Sequence, residues 1–91
     1  MGSDRKDKKR ALQWIESASH DWKYPQSVEE ISDMLNANTQ LMFGELVVEK
    51  LCRILVTAGK LKETGDGYIT KERAVLNSVD EEIANLGVST K

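Results

Sequence analysis

The 91-residue sequence predicts a mostly helical α+β fold: a three-helix core, a two-stranded β-hairpin and an additional C-terminal helix. Three observations carry that expectation. Aliphatic residues recur at helical spacing in four separate stretches. A Gly65-Asp66-Gly67 between two short alternating runs marks a tight hairpin. Ser27-Val-Glu-Glu30 is a capping box, the start signal of a helix. With 40% hydrophobic and 31% charged residues, the composition is that of an ordinary globular chain of one domain.

The first helix is expected over Lys8 to Ala18, where Ala11, Leu12, Ile15 and Ala18 share a face and Asp7 can cap the first turn. Residues 1–7 before it form a flexible basic arm. The stretch "SHDWKYPQ" breaks the pattern, and Pro25 holds Tyr24 extended. The capping box then opens a second helix with Val28, Ile31, Met34 and Leu35 on one side, and Asn36-Ala-Asn-Thr39 interrupts the chain. A third helix begins between Gln40 and Glu45 and ends at Gly59, the left-handed residue that a helix end often uses. Val47, Leu51, Ile54, Leu55 and Ala58 make its expected buried stripe. Strands follow at Lys60 to Thr64 and Tyr68 to Thr70. A last helix runs from Lys71 to Leu86, with a second capping signal at Ser78 and a stop at Gly87. Val75, Val79, Ile83 and Leu86 share its stripe, beyond what a three-helix core needs.

Helix, extended piece, helix, helix, hairpin: in this order the chain resembles a winged helix-turn-helix domain over roughly Ala11 to Thr70. "YPQSVEEISDML" carries the entry to the second helix, and "LCRILVTAGKLKETGDGYIT" carries the third helix and the wing. The resemblance implies that residues 8–70 are the winged-helix domain and 71–91 a C-terminal helix and tail. It also implies duplex DNA as ligand, with the third helix in the major groove and the wing on the backbone. On that reading Lys50 and Arg53 contact the groove and backbone, and Lys60, Lys62 and Lys71 act from the wing. The turn between the second and third helices is longer than the three or four residues usual for a helix-turn-helix.

The residues themselves qualify that implication. The net charge is −2, which is not the balance of a generally basic nucleic-acid binder. Opposite Leu51 the third helix carries Glu49 and Arg53 with Met42, Leu46 and Val56, and a helix apolar nearly all round is normally covered on every side. The cover is either the last helix folded back, a second copy of the chain, or another protein. The alternative function is therefore a protein-interaction module whose contact face is Met42, Leu46 and Val56. A homodimer through Val79, Ile83 and Leu86 fits either function, and small winged-helix regulators often pair through terminal helices.

Catalysis and metal binding find no support in the pattern. His20 beside Asp21 has no nucleophile at hand, and Cys52 falls near the flank of the third helix. One histidine and one cysteine without useful spacing build no metal site, and no glycine-rich phosphate loop or cofactor motif appears. Trp14, Trp22 and Tyr24 are expected to close the core beneath the first helix. A lone cysteine points to a reducing, cytoplasmic or nucleoid-associated setting, and no apolar run approaches the roughly 18 residues that cross a bilayer.

Overall fold

The computed structural model describes the backbone of residues 2–89 and the side chains of residues 5–86. The elements are α1 (Gly2–Ser19), α2 (Val28–Asn38), α3 (Glu45–Thr57), β1 (Leu61–Thr64), β2 (Gly67–Thr70) and α4 (Lys71–Ser89). This is a mostly helical α+β chain with one antiparallel hairpin, and its layout is compatible with a winged helix.

The core forms where α1, α2, α3 and the hairpin meet. Ala11 and Ile15 from α1, Ile31 and Leu35 from α2, Val48, Leu51, Cys52 and Leu55 from α3, and Leu61 and Tyr68 from the hairpin are buried together. On α1 the buried pair is one helical turn apart. The helix itself begins at Gly2 rather than Lys8, because Arg5, Lys6, Lys8, Lys9 and Arg10 are good helix formers that extend it while exposed. Residues 2–7 are thus helix rather than a flexible arm, and Asp7 lies inside it rather than at its cap. Met1 lies outside the described residues.

Both bonds of the capping box are made at the start of α2. The Ser27 N–H donates to Glu30 Oε1 at 3.0 Å, and the Glu30 N–H donates to Ser27 Oγ at 3.1 Å. The helix continues through the expected break at Asn36 to Asn38. Asn38 Nδ2 donates to the Met34 carbonyl at 2.8 Å, and Thr39 satisfies the Leu35 carbonyl with both its hydroxyl (2.7 Å) and its N–H (3.0 Å).

Residues 39–44 form a rigid connection to α3. Asn36 clamps Phe43 with two bonds, donating from Nδ2 to its carbonyl and accepting its N–H at Oδ1, each at 3.2 Å. Ser32 Oγ donates to the same carbonyl at 3.2 Å. Leu41 and Phe43 therefore turn inward, and Met42 between them turns out.

The end of α3 is a Schellman motif built on Gly59, whose φ is +81°. The Lys60 N–H donates to the Leu55 carbonyl at 2.8 Å, and the Gly59 N–H to Val56 at 3.0 Å. The chain then doubles back, and β1 packs on α3. In the hairpin Leu61 pairs with Thr70 and Thr64 with Gly67. Thr64 Oγ1 closes the turn, donating to the Gly67 carbonyl and accepting the Asp66 N–H, both at 3.1 Å.

A third extended segment joins the hairpin at one residue. Gln26 exchanges both backbone bonds with Tyr68, at 2.9 and 2.8 Å. This is why position 67 is glycine: its φ is +137°, and a Cβ there would collide with the Gln26 carbonyl and lie 2.8 Å from the Ser27 nitrogen.

No linker separates β2 from α4. Thr70 ends the strand and caps the helix, accepting the Arg73 N–H at Oγ1 at 3.1 Å. α4 is one helix with no restart at Ser78, and it runs through Gly87 to Ser89. One glycine costs a helix only about 1 kcal/mol, too little by itself to stop it. At about 1.5 Å per residue α4 is roughly 28 Å long, and it packs chiefly on the hairpin. The molecule is accordingly elongated, 63 × 24 × 19 Å with a radius of gyration of 15.7 Å, against about 12 Å for a compact chain of this length.

Candidate functional site

The outer face of α3 is bare. α4 stands on the hairpin and does not cover it, so Leu46, Lys50, Arg53, Ile54 and Thr57, spaced along one side of the helix, are all exposed. Met42, at the tip of the preceding connection, extends this face. Met42 is 84% exposed, Leu46 78% and Ile54 51%.

The buried stripe is turned around the helix from its expected position. Val48 and Cys52 face inward, whereas Ile54 and Ala58 face solvent. Val56, expected on the contact face, instead packs against the core, and Ile54 takes its place outside. Aliphatic residues occur on both sides of this helix, so periodicity left its rotation unsettled; α1, α2 and β1 fix it together.

Of the expected cations, Lys50 and Arg53 share the outer face of α3. Arg53 is also tied to Glu49, with Nη2 and Nε each 3.3 Å from Oε1. Such an exposed pair is worth well under about 1 kcal/mol, so Arg53 releases readily to a stronger anion. Lys60 leans toward α1, 3.8 Å from Glu16 Oε2. Lys62 lies opposite Ile69 in the hairpin and lines the groove between hairpin and α4 with Thr64, Asp66 and Asn77. Lys71 is exposed at the first residue of α4. The five cations therefore divide: two are exposed together on α3, and three are distributed around the hairpin.

On α4 the expected stripe is exposed along its length. Val75, Val79, Ile83 and Leu86 all face solvent, as does Leu76, which sequence reasoning left out of the stripe. Its spacing to Val79 and Ile83, three and then four residues, was the available signal.

An open cleft of about 480 Å³ lies where the 20–23 loop meets α4, lined by His20, Asp21, Trp22, Lys23, Arg73 and Leu76, among others. Trp22 is buried and Trp14 packs on the core, but Tyr24 is exposed rather than closing the core. Cys52 is fully buried, and burial, reinforced by Glu49, pushes its thiol up to about 12. A thiol so poorly ionised is a weak nucleophile, and His20 is exposed where Cys52 is buried. Among the described residues no three His, Cys, Asp or Glu side chains gather to hold a metal, and no helix is long and apolar enough to cross a membrane.

Compared with family models, with curated proteins and with solved structures, the chain matches none.

Proposed function

We propose that the chain is a winged-helix protein that binds duplex DNA as a dimer and acts in transcriptional regulation. Three features support the fold part of this reading. The Gln26–Tyr68 bridge adds a short strand between the first two helices to the hairpin. The capping box sets the second helix, and the Schellman turn at Gly59 lays the hairpin beside the third. The single observation that carries the DNA reading is the bare outer face of α3, with Lys50 and Arg53 exposed on it. Those two side chains contact phosphates or guanine edges, and Lys60, Lys62 and Lys71 supply backbone contacts from the hairpin side. The exposed stripe of α4 supports the dimer.

The test is a salt titration of binding to labelled random duplex. Phosphate contacts make log affinity fall linearly with log salt, and Lys50→Ala or Arg53→Ala each reduces that slope by roughly 1. No binding at low salt overturns the proposal.

A second reading, a protein-interaction module without DNA, is favoured by Met42 and Leu46, the two most exposed large apolar residues described. Glu49 on the flank of the same face also repels phosphate. Under that reading Leu46→Asp abolishes partner capture and leaves the fold intact, and duplex binding is absent for the parent chain as well.

A further inference from the structure

The outer face of α3 carries a carboxylate that the DNA reading leaves without a role. Glu49 stands one helical turn before Arg53, and its Oε1 takes the guanidinium from one side, 3.3 Å from both Nε and Nη2. A guanidinium holds five N–H donors in a planar fork. Glu49 therefore occupies the Nε edge. The end edge, made of Nη1 and the outer N–H of Nη2, has no hydrogen-bond partner among the described residues.

The carboxylate is the more enclosed member of the pair. The Glu49 side chain is 39% exposed, against 63% for Arg53. After burial, its charge is the second cause of the raised Cys52 thiol, and behind burial and Glu63 it adds to the raised Tyr68 phenol. Glu49 is thus within electrostatic reach of the core and the hairpin, and Arg53 is the more open of the two to solvent.

Two kinds of acceptor on a duplex can meet the free edge, and Glu49 discriminates between them. A phosphate either displaces Glu49, forfeiting the pair, or shares the guanidinium with it, and two anions so close repel. Guanine instead presents N7 and O6 in the major groove, uncharged acceptors whose spacing suits a bidentate arginine. Lys50 is exposed on the same face with no ion pair among the described residues, so nothing turns it away from phosphate. We infer that Glu49 is a positioning residue: it holds Arg53 with its free edge toward a guanine, while Lys50 takes the backbone. This assignment rests on the DNA reading above and deepens it, naming the base and dividing two roles that were shared.

The test compares a labelled duplex of alternating guanine and cytosine with the same duplex built from 7-deazaguanine. The deaza base lacks N7 and keeps O6, the pairing and the backbone charge. The parent chain binds the guanine duplex about five-fold more tightly, the loss of half a bidentate contact. Arg53→Ala brings that ratio to one, whereas Lys50→Ala weakens both duplexes and leaves the ratio unchanged. Glu49→Ala keeps the helix, alanine being its best former, and also brings the ratio close to one. It binds the 7-deazaguanine duplex more tightly than the parent does, because Arg53 is released to phosphate. A merely structural Glu49 would instead weaken both duplexes alike.

A parent ratio of one overturns the guanine contact, and a Glu49→Ala variant with the parent ratio overturns the positioning role. A ratio lost in Lys50→Ala but kept in Arg53→Ala overturns the division between the two cations. Salt-dependent binding with a ratio of one leaves the DNA reading standing, whereas no binding of either duplex at low salt removes both.

Discussion

Helices α3 and α4 both carry a long aliphatic stripe, and only one of them buries it. In α3, Val48, Leu51, Cys52 and Leu55 disappear into the core, whereas in α4 Val75, Leu76, Val79 and Ile83 stay in water. The difference lies in how each helix enters the fold. α3 is reached through six residues clamped by Asn36 and Ser32 and left through a reversal at Gly59, so α1, α2 and β1 all close on it. α4 leaves β2 with no intervening residue and packs chiefly on the hairpin. An apolar stripe specifies that something covers it; the connection decides what is in reach.

The largest effect that separates the two helices is a pair of truncations. Leu55→Ala removes a side chain only 2% exposed and costs about 2–5 kcal/mol in denaturant unfolding. Ile83→Ala, measured on dilute monomer, stays within about 0.5 kcal/mol. A large loss at Ile83 in dilute solution would mean that α4 is covered by its own chain.

The next effect is in pH. The Cys52 thiol is neutral in the fold until about 12, whereas in the unfolded chain it ionises near 9. Between these values the unfolded state binds fewer protons, so stability is complete below pH 9 and falls as pH rises, by at most about 1.4 kcal/mol per pH unit. Tyr68 is also raised, by burial and then by Glu63, and adds a loss in the same direction above pH 10. Urea unfolding between pH 8.5 and 10 therefore isolates Cys52, and Cys52→Ala removes the slope in that window.

Gly59→Ala is smaller. It leaves space for the methyl group, since nothing lies within 4 Å, but forces an L-residue to φ +81°. The expected loss is about 1–2 kcal/mol, and β1, which depends on that turn, should show the increased amide exchange first.

Legibility of the sequence followed the range of the interaction. Ser27 with Glu30, Gly59 and the Gly65-Asp66-Gly67 turn act within a few residues, and the structure has a cap, a helix end and a hairpin at those places. The role of Gly67 was legible only as a turn, because its close neighbour, Gln26, is 41 positions away in the chain. The candidate site was half legible. Met42, Leu46, Lys50 and Arg53 are exposed as expected, but Val56 and Ile54 exchange places. Both sides of α3 are aliphatic, so the pattern had no contrast from which to set the rotation.

By itself the sequence determined the cap that opens α2, the glycine that ends α3 and the hairpin that follows it, because caps, turns and glycine conformations are settled by nearest neighbours. Only the tertiary structure decided which side of α3 is buried and that α4 projects rather than folds back. Those outcomes depend on which surfaces can reach each helix, and reach is set by the Thr39–Gly44 connection and by the absent linker at Thr70. The same chain that hides one stripe is thereby left with another exposed.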